Sequence, residues 1–345
     1  MKLGSSALLR WNRASSLAGA MVWILLLLPL SGWLGLPVET SGETWLIERL
    51  LLLSVLVFTP LTLSLVATLA NDGAHSLPFR AAALLQPFAA ILITASFHTR
   101  TGLAAAMMTT GWILVTGLIA LFGLSRLWQR WVTRRSPLPM EELCIDVGLA
   151  YITVGSGWLF LSRWGLNPLG FSDAIVLLTA VHFHYAGFAA PILTGLAGRK
   201  IQSGIARKFY LPAAAGVIAG PPLVAAGITL SRGVEVFSAI VLALSLFTLA
   251  LLMFFAVAPK LKPRLAQLLL SLSAMSVMVT MLFACLYATG RFTGTAIVTL
   301  PLMAQVHGVS NALGFVLCGL LAWTVDSSMI VSGNVHCNFD IEREE

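Results

Sequence analysis

Two stretches of this chain place side chains that can hold a proton, a metal or a polar solute inside otherwise apolar sequence. The first reads Phe171-Ser-Asp-Ala-Ile-Val-Leu-Leu-Thr-Ala-Val-His182-Phe-His184-Tyr185-Ala-Gly187-Phe-Ala-Ala-Pro191. The second reads Pro301-Leu-Met-Ala-Gln305-Val-His307-Gly308-Val-Ser310-Asn311-Ala-Leu-Gly314. An imidazole titrates close to neutral pH, and in its neutral form it ligates transition metals and haem iron. His182, His184 and His307 are therefore candidates for a proton-carrying, metal or solute-binding site, with Tyr185, Ser310 and Asn311 as polar neighbours. The competing reading is that these groups are hydrogen-bond glue between helices, worth only about 0.6 kcal/mol per bond in a membrane.

Spacing limits what the three histidines can do together. Residues two apart on a helix differ by roughly 200° around the axis, so His182 and His184 cannot face one site unless the helix is distorted. His182 shares a face with Tyr185 and Ala189, and His184 lies on the other. Pro191 removes the donor for the Gly187 carbonyl and predicts a kink just beyond the histidines. In the second stretch His307, Ser310, Asn311 and Gly314 fall at i, i+3, i+4 and i+7, which is one polar stripe. A third segment, Gly220-Pro221-Pro222, sits in the middle of an apolar run, and a double proline there predicts a broken or sharply bent helix beside a cavity.

These groups must be positioned by a membrane bundle. Charged residues make up 10% of the 345-residue chain and hydrophobic residues 58%, with a mean hydropathy of +0.91. A soluble domain carries roughly 25% charged residues, so lipid is the solvent that suits this composition. The formal charge of +7 comes in short clusters between apolar runs, without a basic stripe interleaved with aromatics, which argues against nucleic acid. Apolar runs long enough to span predict ten helices near 17–36, 46–70, 81–97, 102–123, 144–162, 171–197, 209–229, 234–257, 266–289 and 299–325. The first run follows Lys2, Arg10 and Arg13 and resembles a signal peptide, but it is long enough to span and lacks a small-residue cleavage site, so it is read as a retained helix.

Charge placement predicts orientation. With the N-terminus inside, 16 of the 21 Lys and Arg residues fall on cytoplasmic segments, leaving Arg49, Arg100, Arg163, Arg232 and Arg291 at outer ends. That asymmetry is the positive-inside pattern, and it places both termini in the cytoplasm. Trp33, Trp45, Trp128, Trp131 and Trp164 lie near span ends, as interfacial anchors do. Residues 1–325 are then the helix bundle and 326–345 a polar cytoplasmic tail with little fixed structure. Ten spans divide into two fives, which would run inverted relative to one another, although no sequence echo links the halves. The four cysteines, Cys144, Cys285, Cys318 and Cys337, have no disulfide-like spacing. His336-Cys337 in the tail is a weak metal motif. His98, Gln86, Asp173, Glu235 and Asp146 are secondary polar candidates, the three carboxylates being explained by helix starts.

At the depth given by 1.5 Å per residue, His182 and His184 lie roughly 17–20 Å from the outer end of the sixth span, and His307 and Asn311 roughly 14–20 Å from that of the tenth. The segment Leu178-Thr-Ala-Val-His182-Phe-His184-Tyr185-Ala-Gly187-Phe188, together with His307-Gly308-x-x-Asn311-Ala-x-Gly314-Phe315, resembles the YndJ-like family of bacterial membrane proteins. The resemblance covers the fifth to the tenth span. It implies a multi-pass bacterial inner-membrane protein of unassigned activity, sometimes labelled a transporter, and it supplies no reaction.

Three functions remain open from the residues themselves. One is a small-solute or proton-linked transporter with the histidines at mid-membrane. Another is a membrane oxidoreductase or metalloprotein in which His182, His184 or His307 ligates haem or a transition metal. The last is a non-catalytic partner or assembly factor. The expected contacts are the lipid bilayer and a small-molecule or ion substrate. No Gly-x-x-x-x-Gly-Lys-Ser/Thr loop occurs, so ATP binding is not expected, and neither His-Glu-x-x-His nor Gly-x-Ser-x-Gly is present.

Overall fold

In a computed structural model the described residues are 5–28, 44–67, 75–133, 138–295 and 297–326. They form ten helices, with no strand among them. These are α1 (Ser5–Leu27), α2 (Trp45–Val66), α3 (Leu77–Ser96), α4 (Leu103–Thr133) and α5 (Met140–Trp164). They continue as α6 (Asp173–Gly198), α7 (Gly204–Leu230), α8 (Arg232–Lys260), α9 (Arg264–Thr293) and α10 (Leu300–Asp326). Nine of them, α2 to α10, are long and apolar enough to cross a membrane. The predicted spans from the second onward each coincide with one of these nine. The first helix begins earlier than the apolar run, at Ser5, and takes in Arg10 and Arg13. The rest of that run, with Trp33, lies outside the described residues, as do Arg134, Arg135 and the tail from 327 onward with His336 and Cys337.

The helices are not equivalent. The apolar window of α2 is 94% buried within the protein, against 33% for α7, α8 and α9. α2 packs against α1, α3, α6 and α10, so it is the axis of the bundle, and the later helices form its lipid-facing side. Four helices are interrupted by π-helical turns: Ser54–Phe58 in α2, Phe183–Ala189 in α6, Met253–Val257 in α8, and Met303–Gly308 with Ser310–Leu317 in α10. A π turn widens the helix and displaces backbone hydrogen bonds. In hydrocarbon each displaced group needs a partner from the protein.

Side chains supply those partners. In α10, Ser276 Oγ donates to the Ser310 carbonyl at 2.7 Å and Ser273 Oγ to the Phe315 carbonyl at 2.6 Å. In α2, Ser16 Oγ donates to the Val57 carbonyl and Gln86 Nε2 to the Val55 carbonyl. The same logic answers the prolines. Pro87 within α3 withholds a donor from the Ala83 carbonyl, which takes Trp11 Nε1–H at 3.0 Å instead. Pro222 withholds one from Ile218, whose carbonyl accepts from Tyr151 Oη at 3.2 Å. Here the structure corrects the sequence expectation. α7 continues from Gly204 to Leu230 through Gly220, Pro221 and Pro222 without a break, because a neighbouring tyrosine replaces a bond that proline removed.

One end of the bundle is tied by ion pairs. Glu142 on α5 accepts from Arg126 at 2.7 Å, from Arg199 at 2.7 Å and from Arg130 at 3.5 Å. Asp146 pairs with Arg126 at 2.8 Å and also with Arg130. Arg207 with Glu141 and Lys200 with Asp326 extend the network to α7 and α10. Asp146 is thus far more than a helix-start carboxylate: it is buried against two guanidinium groups. At the opposite end Arg163 donates to the Ser96 and Thr99 carbonyls that close α3, and Arg291 pairs with Glu235 at 3.1 Å.

Candidate functional site

α6 carries His182, His184 and Tyr185 across the junction of its first α-helical part, Asp173–His182, and its π turn. The three side chains leave the helix in different directions. His184 is fully buried. Its Nδ1 lies 2.8 Å from the Ala180 carbonyl. A carbonyl only accepts, so Nδ1 carries the proton and Nε2 is the acceptor. Nε2 takes the Trp112 Nε1–H of α4 at 3.1 Å, and the two rings lie nearly parallel, with an interplanar angle of 13°. Both nitrogens are committed. The ring fits because α5 presents Gly155 to it: a Cβ there would stand 2.6 Å from His184 Nδ1.

Tyr185 points toward α2. Its hydroxyl donates to the Leu50 carbonyl at 2.8 Å, and its ring meets Phe58 edge-on at 5.7 Å. The same Leu50 touches Gly308 of α10, where a Cβ would come within 2.9 Å of Leu50 Cδ1. Leu50 is therefore the point at which α2, α6 and α10 meet.

His182 lies on this side as well. Its Nδ1 is 3.1 Å from the Leu178 carbonyl one turn back, so Nδ1 donates and the Nε2 lone pair faces away from the helix. The His182 side chain is exposed. His307 of α10 reaches across to α9, its Nδ1 2.9 Å from the Thr280 carbonyl, which again leaves Nε2 uncommitted.

The remaining stripe residues of α10 seat on α9. Asn311 Oδ1 accepts from Thr280 Oγ1 at 2.9 Å, Ser310 offers its carbonyl to Ser276, and Gly314 lets Ser276 approach its backbone. Pro191 lies at the start of the α-helical part that follows the π turn, Ala190–Gly198, so the interruption of α6 is a widened turn just ahead of the proline. The structure thus brings Tyr185 and Gly308 to Leu50, seats His307 on α9, and turns His184 away to α4 and α5. Among the described residues no group of three or more His, Cys, Asp or Glu side chains is placed to hold a metal. A pocket of about 320 Å³ between Arg232, Tyr287, Arg291 and Val298 contains none of these residues.

Four contributors escaped the sequence reading: Trp112, Gly155, Thr280 and the Leu50 carbonyl. Trp112 did leave a signal, since a tryptophan nine residues inside a span is far from either interface, and its N–H needs a buried acceptor. Thr280 left none, because a threonine in a long apolar helix ordinarily bonds its own backbone.

Comparison with known proteins assigns no chemistry to this arrangement. No solved structure matches the chain. A protein of Bacillus subtilis (strain 168) described as "Uncharacterized membrane protein YndJ" is 31% identical over 283 residues, covering 81% of this chain and 49% of the relative. The chain therefore spans about half the length of that relative. The model of the family described as YndJ-like protein matches residues 49–315, a segment that begins at the start of α2 and ends within the second π turn of α10. That span takes in all three helices that meet at Leu50, and the chain belongs to the YndJ-like family.

Proposed function

We propose that the protein is a small-solute or proton-linked transporter of a bacterial cell membrane, with His182 and His307 as the groups that take up and release a proton or hold the solute. One observation carries this reading. Imidazoles on two different helices, α6 and α10, each have Nδ1 tied to a carbonyl and Nε2 free. A titratable group inside a membrane is costly to keep and usually serves an ion or substrate path. Tyr185 and the π turns of α2, α6 and α10 form its surroundings, and His184 with Trp112 supports the helix from behind.

Charge placement orients the bundle in this proposal. The end with Arg126, Arg130, Arg199 and Arg207 faces the cytoplasm, both termini lie on that side, residues 1–325 form the bundle and 326–345 a polar tail. The ion pairs around Glu142 and Asp146 then close the cytoplasmic end, while His182 is reached from the other.

Reconstitution tests the reading. Proteoliposomes carrying an interior pH dye are given a pH gradient and a panel of small anions, cations and neutral solutes. At least one class moves protons or is accumulated, and His182→Ala and His307→Ala each lower that rate at least tenfold. Correctly folded wild-type protein that moves neither protons nor any solute, under gradients of either sign, would end the proposal. A metalloprotein is the second reading, favoured by the same two free Nε2 atoms, which suit a pair of axial haem ligands or a two-imidazole metal site. An optical spectrum and metal analysis of the purified protein decide it.

A further inference from the structure

The end of the bundle opposite the Glu142 network holds a buried cation that the histidine site does not use. Arg49 lies in the first turns of α2, one residue before Leu50, and is 8% exposed. Its Nε and Nη1 are both buried and neither meets an acceptor. Its guanidinium lies over the Trp45 ring, 5.6 Å from the centroid. The backbone there is held in place, because Trp23 Nε1 donates to the Arg49 carbonyl at 2.7 Å.

A guanidinium enclosed by protein without an acceptor is strongly disfavoured, and inside a membrane such a group ordinarily has a partner. The neighbouring carboxylate does not fill that role. Glu48 accepts from Thr44 Oγ1 at 3.1 Å, and neither Arg49 Nε nor Nη1 hydrogen-bonds it. Arg163 donates through Nη2 to the Ser96 and Thr99 carbonyls, and its buried Nε meets no acceptor among the described residues. Of the two guanidinium groups at this end, Arg49 leaves the more donors unfilled, Nε and Nη1 against Nε alone. Its free Nε–H and Nη1–H belong to one planar, permanently charged guanidinium, whose donors suit the oxygens of a carboxylate or phosphate. Leu50, the next residue, touches both Tyr185 and Gly308, so an anion held at Arg49 sits at the head of the helices that carry His182 and His307.

We infer that Arg49 is the recognition residue for an anionic solute, a small carboxylate or phosphate, and that the substrate class of the transporter is therefore an oxyanion. This rests on the transport reading above for its use, but the binding step is measured without transport. Trp45 and Trp23 flank Arg49 and provide the reporter. Purified full-length protein in a neutral detergent is titrated with succinate, with inorganic phosphate and, as the cation control, with tetramethylammonium, while tryptophan fluorescence and thermal unfolding are followed. A saturable change with one of the oxyanions and none with the cation is expected. Arg49→Gln should weaken that response at least tenfold. Arg49→Lys, which keeps the charge and loses the fork, should weaken it less. Replacing Trp45 with Phe should remove most of the fluorescence signal and leave the anion-induced thermal shift.

A wild-type protein that responds to neither anion, or an Arg49→Gln protein that responds as wild type does, overturns the inference. So does a response that appears only in phosphatidylglycerol nanodiscs and not in phosphatidylcholine ones, since the oxyanion is then a lipid headgroup. If Arg49→Gln does not fold, the wild-type titration and the Lys variant still decide. The two proposals fail separately. Anion binding through Arg49 with no flux removes transport and keeps the site, whereas proton-coupled uptake of a cation untouched by Arg49→Gln removes the site and keeps transport.

Discussion

His184 and His182 are two residues apart and lead opposite chemical lives. Around His184 the protein is closed: Ala180 accepts from one nitrogen, Trp112 donates to the other, and Gly155 leaves no room for anything more. Around His182 one nitrogen is fixed and the other is free, the ring is exposed, and His307 on α10 repeats the pattern of one tied and one free nitrogen. The difference teaches that histidine content marks a polar region of a membrane helix but does not say which ring is used. Hydrogen-bond completeness says that. A ring with both nitrogens satisfied holds the bundle together, and a ring with a spare lone pair is free for chemistry.

Substitutions can break or sharpen this contrast. The largest effect is expected for Gly155→Leu, whose Cβ would meet His184 Nδ1 at 2.6 Å and the Ala180 carbonyl, a backbone atom that cannot move aside, at 3.1 Å. Overpacking of this kind destabilises by about 3 kcal/mol. Gly157→Leu, two residues on and with nothing within 4 Å, should stay within about 0.5 kcal/mol of wild type. Denaturant unfolding in detergent measures both, and equal losses would deny that the His184 pocket is tightly built.

His184→Leu comes next. It strands the buried Trp112 N–H and should lose roughly 1–3 kcal/mol. Adding Trp112→Phe should return part of that loss, a coupling that a double-mutant cycle reads directly. Thr280→Val should lose about 0.5–1.5 kcal/mol, since the Asn311 Oδ1 acceptor loses its donor while the carbonyl that holds His307 remains. Smallest in stability is His182→Leu, within about 0.5 kcal/mol, because the only bond it surrenders is to its own helix. Its effect on flux should be the greatest of these substitutions. A His182→Leu protein that unfolds as readily as His184→Leu, or transports as wild type does, would erase the distinction between the two rings.

The membrane architecture was readable because a span is a statement about composition over about 20 residues. The second to tenth runs all became helices, with ends shifted by up to ten residues where helices continue past the apolar stretch. α4, for instance, runs on to Thr133 with Trp128 and Trp131 exposed. The antiphase of His182 and His184 was also readable, from helical geometry alone. The double proline was misread because a proline announces a missing donor, not the identity of what replaces it. Tyr151, some 70 positions away in the chain, takes that place. The α10 stripe was read as a single surface, and it is one: His307, Ser310, Asn311 and Gly314 all seat on α9.

The chain by itself determined that it must lie in a membrane, that it crosses many times, and which few polar side chains fall within its apolar runs. These follow from local composition and from fixed helical rise and twist, which do not depend on neighbours. Tertiary structure decided the rest: that α2 is the buried axis, that Leu50 joins three helices, that His184 is sealed and His182 is not, and that Arg49 is left with empty donors. Each of these depends on which atoms stand opposite a given group, and those atoms come from helices far apart in sequence.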